Sequence, residues 1–213
     1  MEAPGKNGTA AMQASLDGSS TYKLWNFNIG STIRCLNCHA GGVTNPTAAP
    51  PLPLPGSALA PHTSSNRGIL LENYRDRVLK STGEAYSAAD FALCYVCHAE
   101  APFKDSSSTA TNFNLHAKHV SALEGGSGST GIDTPEAGQG NAICAECHFR
   151  IHSTTNKVGA QVIPDSRLVN FAPNVQPVSG TEPITWTPGA TAGAGSCALI
   201  CHGKTHNPYP YSP

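Results

Sequence analysis

All eight cysteines of this 213-residue chain fall in four short segments, and each segment ends in a histidine. The segments are Cys35-Leu36-Asn37-Cys38-His39, Cys94-Tyr95-Val96-Cys97-His98, Cys144-Ala145-Glu146-Cys147-His148 and Cys197-Ala198-Leu199-Ile200-Cys201-His202. Three have the spacing C-x-x-C-H; the fourth carries one more residue between its cysteines. Whatever this chain folds into must serve eight thiols and four imidazoles in that fixed order.

The C-x-x-C-H spacing is the signature of covalent c-type haem attachment. Two thiols form thioethers to the two vinyl groups of a haem, and the adjacent histidine ligates the iron from the proximal side. Cys35 and Cys38, Cys94 and Cys97, and Cys144 and Cys147 take the thioether positions, with His39, His98 and His148 as proximal ligands. Cys197 and Cys201 span a wider loop, but His202 keeps its place beside the second cysteine. Zinc sites and redox disulfides also use C-x-x-C pairs. Zinc needs two pairs per metal and no histidine after each, and a framework of disulfides leaves the four histidines unexplained. The expectation is four covalently bound haem c groups.

Composition agrees. With 21 Gly, 17 Pro and 7% aromatics the polypeptide is poor material for a conventional core. Four large apolar macrocycles would supply one, so the fold class expected is mostly irregular, with a few short α-helices and minor β: a haem-cored multihaem cytochrome c with less regular structure than usual. A net charge of −1 with 13% charged residues provides no basic stripe for nucleic acid. It also permits self-association. No apolar run approaches the ~20 residues that span a bilayer. The segment Met1–Gly8 has no apolar signal region. Because c-type haem is attached outside the cytoplasmic membrane, the numbered chain is expected to be a mature, exported form.

Residues 1–213 read as a single tetrahaem unit, opening with an extended arm over 1–30 and carrying motifs at 35–39, 94–98, 144–148 and 197–202. Pro50, Pro51, Pro53 and Pro55 mark residues 46–61 as an extended connector. Residues 106–111 and 125–140 read as loops. Leu70, Leu71, Tyr74 and Val78 predict a helix over 68–80. Ser87-Ala88-Ala89-Asp90 resembles a capping box opening a helix into Cys94 and Cys97. A short helix is predicted over 114–123, and strands over 161–163, 167–171 and 184–187. Trp186 reads equally as a haem neighbour or an ordinary core residue.

Each iron needs a sixth ligand or stays open. The only methionines, Met1 and Met12, lie in the arm, so histidine is the candidate. Five histidines remain for four vacancies: His62, His116, His119, His152 and His206. His116 and His119 share a face if helical. His152 and His206 each follow a proximal histidine by four residues, too close to reach the far side of the same haem but able to reach a neighbouring one.

The segments Pro61-His62-Thr63-Ser64-Ser65-Asn66, Asn112-Phe113-Asn114-Leu115-His116-Ala117-Lys118-His119-Val120, Cys147-His148-Phe149-Arg150-Ile151-His152-Ser153 and Cys201-His202-Gly203-Lys204-Thr205-His206-Asn207-Pro208 resemble distal-ligand segments of multihaem cytochromes from metal-reducing bacteria. Over residues 35 to 208 the order and number of motifs resemble the OmcE-type extracellular tetrahaem cytochromes. That resemblance implies bis-histidine ligation of all four irons, assembly with copies of itself into a conductive filament, and one distal histidine supplied by a neighbouring subunit. The implied location is extracellular or cell-surface, and the implied acceptors are redox partners, metal oxides or electrodes.

Three functions follow for comparison: long-range electron transfer in a filament, a discrete periplasmic or cell-surface electron shuttle, and a multihaem reductase. A shuttle would dock through a lysine patch, which a chain with so few charges lacks. A reductase needs an open iron, whereas spare histidines here outnumber the vacancies, so an electron carrier rather than an enzyme is expected. Intact-protein mass spectrometry is expected to show four attached haems; three would mean that Cys197 and Cys201 are left unmodified.

Overall fold

The structure is a computed structural model. It describes residues 35, 38–39, 44–45, 52–53, 64–95, 98, 100–105, 113–122, 131–133, 139–149, 151–152, 169–180, 183–191 and 194–212. The chain divides into two compact units, one formed by 3–74 with 87–101 and the other by 75–86 with 102–213. The first holds the motifs at 35–39 and 94–98, the second those at 144–148 and 197–202. Where the sequence reading takes 1–213 as one unit, the motifs thus fall two to each.

Regular structure is sparse, as expected. Among the described residues, in chain order, it includes β1 (Thr44–Asn45), β2 (Leu52–Pro53), α1 (Ala92–Tyr95), α2 (Ala101–Lys104), α3 (His116–Val120), α4 (Cys144–Cys147), β3 (Thr185–Pro188), β4 (Gly195–Cys201) and β5 (Lys204–Tyr211), with 3-10 turns at Arg67–Ile69 and Ala88–Phe91. β1 and β2 pair antiparallel. Leu52 and Pro53 are therefore paired rather than part of an extended connector. The predicted strand over 184–187 matches β3; 161–163 lies outside the described residues, and of 167–171 only 169–171 is described, with an isolated bridge at Asn170.

The predicted helix over 68–80 does not form. Gly68 and Ile69 take left-handed φ of 69° and 58°, which breaks a right-handed helix at its start. The Asn66 amide then donates to the carbonyls of Leu70 (3.2 Å) and Leu71 (3.1 Å), so a side chain takes what a helix would use. Leu71 and Leu93 form a small core against Cys38, Leu70 and Tyr74, while Val78 is 71% exposed. The apparent helical spacing of Val78 carried no packing. A helical run does lead into Cys94, as a 3-10 turn continuing into α1, but Ser87 makes no side-chain cap.

The second unit is built on an antiparallel sheet of order β3-β4-β5. β4 and β5 form a hairpin in which Cys201 pairs with Lys204. The two turn residues, His202 and Gly203, have φ of 48° and 69°, the sign that a tight two-residue turn matched to strand twist demands. Phe171, Val175, Ile184, Trp186, Leu199 and Tyr211 form its core. The Trp186 indole N–H donates to the Tyr211 hydroxyl at 2.6 Å, which makes Trp186 a satisfied core residue. Pro208 and Pro210 lie on β5, a strand at the sheet margin, where a missing N–H is tolerated.

Arg75 organises the segment 75–86. Its guanidinium donates to the Val78 and Leu79 carbonyls and to both oxygens of Glu84. The Arg75 hydrogen bond, then that from the Ser81 amide, holds the Glu84 carboxyl down at about 2 from an ordinary 4.5. A depressed carboxyl stabilises the fold fully above its unfolded pKa, and the contribution disappears as pH falls through the folded value. Glu84→Gln is expected to lower the denaturation midpoint at pH 7, with the gap to the parent protein closing between about pH 4.5 and 2. A gap that persists at pH 2 would show that the carboxylate charge is not the cause.

Candidate haem-attachment motifs and their histidines

The three C-x-x-C-H motifs share one backbone solution. The amide of His39 donates to the Cys35 carbonyl at 2.8 Å, that of His98 to Cys94 at 2.9 Å and that of His148 to Cys144 at 2.9 Å. One helical turn therefore closes each motif, and in the first and third a turn of 3.6 residues sets both cysteines and the histidine along one side. Cys97 itself lies outside the described residues. None of the seven described cysteines is in a disulfide.

Charge on three of these thiols is disfavoured. Burial, then the neighbouring Cys94 and Cys35, pushes the Cys38 thiol up. Burial is also the main cause at Cys147, which is raised well above its ordinary value, with Cys201, Glu146 and Cys197 adding to it. Cys197 rises to about 11, by burial and then Cys201. The desolvated surroundings of Cys38, Cys147 and Cys197 fit attachment to a large apolar group.

The fourth motif adopts a different backbone. Cys197 and Cys201 lie on β4 and His202 on the hairpin turn. In an extended strand, residues four apart lie on the same face, and both cysteines pack on the core cluster together with Cys147. The register shift between Cys197 and Leu199 marks where the strand departs from a regular ladder.

The third and fourth motifs converge through the segment 169–176. The amides of Asn170 and Ala172 donate to the Cys147 and Glu146 carbonyls at 2.8 and 2.9 Å, and Gln176 exchanges hydrogen bonds with Ile200 at 2.9 and 2.7 Å. This strap brings Glu146 of α4 against His202. His202 Nε2 lies 3.0 and 3.1 Å from the two Glu146 oxygens. Burial alone would lower the His202 pKa; hydrogen bonds and charge from Cys201 and Glu146 outweigh it and raise it to about 10. Nδ1 of the same ring is buried. Glu146, Cys201 and His202 place their ligand atoms within 4.8 Å of one another.

Two histidines show the arrangement of a metal ligand steadied by its far nitrogen. His39 Nδ1 is 2.9 Å from the Gly68 carbonyl, and His119 Nδ1 is 2.9 Å from that of Leu115. A carbonyl only accepts, so Nδ1 carries the proton and Nε2 keeps its lone pair. Burial, the main cause, lowers His119 to about 4, with the charges of His206, Lys118 and His202 acting in the same direction. Burial, then Lys118, also lowers His206. His119 is thus held neutral, the form that binds metals.

His116 and His119 do share a helix, α3, and both rings pack on Phe113 at 5.1 and 5.2 Å between centroids. His206 lies on β5, its ring 5.4 Å from that of Tyr209. His152 follows the third motif and is exposed; His62 lies outside the described residues. Second-unit geometry thus brings His202 and His206 within electrostatic reach of His119. Sequence reasoning missed Glu146 and Gly68. Glu146 had one signal, as the charged residue among the residues enclosed by the four cysteine pairs. Gly68 had none, since its use is a backbone carbonyl.

Comparison with protein-family models, with curated proteins and with solved structures finds no match.

Gly68 has φ of 69°, and an added Cβ would meet only Leu70 Cγ, at 3.8 Å. Gly68→Ala is therefore expected to cost about 1–2 kcal/mol by conformation alone, read by chemical denaturation. A loss much larger than this would point to a steric role instead.

Proposed function

We propose that this chain is a tetrahaem c-type cytochrome that carries electrons outside the cell, with haems as the core, and that it polymerises with copies of itself into a conductive filament. The observation that carries the haem reading is the single helical turn repeated in the motifs at 35–39, 94–98 and 144–148, each closed from histidine amide to first-cysteine carbonyl. The desolvation that raises the Cys147 and Cys197 thiols, and histidines protonated on Nδ1 against a carbonyl, support the same reading. Haem supplies one-electron chemistry when bound.

The chain's own residues attach, ligate and insulate. Cys35, Cys38, Cys94, Cys97, Cys144, Cys147, Cys197 and Cys201 attach the groups. His39, His98, His148 and His202 serve as proximal ligands, and four of His62, His116, His119, His152 and His206 as distal ones. With two histidines on each, the irons would keep no open position for ligand chemistry and would serve electron transfer. The filament rests on the resemblance of the motif order and distal segments. No helix among the described residues is long and apolar enough to cross a membrane, in keeping with a chain that acts without a helical span.

Electron microscopy of the native protein is expected to show filaments repeating one tetrahaem subunit. Separate particles would favour the discrete shuttle. Of five single His→Ala variants at the distal candidates, one is expected to block polymerisation while leaving haem attachment intact. If all five still form filaments, ligation across subunits is wrong.

A further inference from the structure

We infer that Asn66 and Ser64 are positioning residues for His39: they clasp a strained loop so that its Gly68 carbonyl holds the ring of the first motif's histidine. The inference rests on the haem reading above and deepens it at that motif.

The loop is held against its own preference. Ile69 has φ of 58°, an outlier for a β-branched residue. Its side chain is 44% exposed, so burial does not account for the conformation. Polar contacts on the two following carbonyls do. The Asn66 amide group donates to Leu70 at 3.2 Å and to Leu71 at 3.1 Å. The Ser64 hydroxyl donates to the Leu70 carbonyl as well, and its oxygen accepts the Asn66 backbone N–H at 2.9 Å. The Leu71 amide in turn donates to the Cys38 carbonyl at 2.7 Å. The loop that bears the Gly68 carbonyl is thus tied to the motif that bears His39.

With both sides fixed, His39 Nδ1 meets the Gly68 carbonyl at 2.9 Å. That contact sets two things: the tautomer, with the proton on Nδ1 and the lone pair on Nε2, and the rotation of the ring about its bond to Cβ. Strained backbone persists only where its surroundings over-determine it. Asn66 and Ser64 are those surroundings, and they act on His39 through Gly68. Without the clasp, Ile69 is expected to relax to negative φ and carry the carbonyl away from the ring.

The test uses the haem-loaded full chain, as the parent, Asn66→Ala, Ser64→Ala, Ile69→Gly and the double variant Asn66→Ala with Ile69→Gly. Peptide mass comes first. A parent with no haem on Cys35 and Cys38 overturns the haem reading of this motif, and the inference with it. With that haem present, Asn66→Ala is expected to shift the g-values of one low-spin ferric signal and leave the others unmoved, because one ring turns when its carbonyl is withdrawn. Ser64→Ala is expected to shift the same signal by less. Ile69→Gly is expected to keep the parent spectrum, since glycine takes a left-handed φ without strain, and the double variant to regain it. Unmoved g-values in Asn66→Ala, even with a lower denaturation midpoint, overturn the inference and leave Asn66 a structural residue only. A common shift of every signal overturns it as well, and so does a double variant that stays shifted, since strain at Ile69 is then not what Asn66 offsets. Should Asn66→Ala fail to mature, a Ser64→Ala protein with unmoved signals overturns it equally.

Discussion

The Glu146 carboxylate is the contact on which the second unit turns. A carboxylate at 1% exposure must find partners for its lone pairs or cost several kcal/mol. Glu146 finds three: the amide of Ile143, the N-cap of its own helix, the Asn174 side chain and the His202 ring. Each comes from a different stretch of chain, so satisfying one buried charge gathers α4, the strap over 169–176 and the β4–β5 turn. The core of Phe171, Val175, Ile184, Trp186, Leu199 and Tyr211 lies against the cysteines of both motifs.

Around that contact one chemistry is presented on two backbones. Where two residues separate the cysteines, a single helical turn aligns thiols and histidine and is closed by its own amide. With three residues between them the segment lies on a strand, and the histidine reaches its place by a left-handed turn. A histidine tolerates that conformation better than a β-branched residue, and the following Gly203 takes the second left-handed position at little cost. The loop after the first motif makes a comparable choice. Gly68 and Ile69 turn left-handed, and the Gly68 carbonyl meets His39. Strained backbone of this kind gathers where a side chain must be aimed.

How much was legible depended on whether a feature is local. The motifs, the α3 histidine pair, β3 and the scarcity of regular structure could all be read from spacing and composition, because each is decided within a few residues. The false helix over 68–80 shows the limit. Its apolar spacing was real, but Asn66 and Arg75 take carbonyls that the helix needed, and a period of four apolar residues does not reveal competing side chains. The β4–β5 hairpin went unread because its second strand contains two prolines and its turn begins with histidine, neither of which advertises a strand or a turn.

The sequence by itself determined which atoms are present for chemistry: eight thiols, four adjacent imidazoles and five spare histidines, in an order that covalent spacing makes unambiguous. Only the tertiary structure decided what stands behind those imidazoles. A neutral carbonyl from a strained loop faces His39, another carbonyl faces His119, and a buried carboxylate from a different motif faces His202. The reason is physical. Spacing along the chain sets reach within one turn, whereas the partner on the far nitrogen comes from wherever packing and the satisfaction of buried charge bring it.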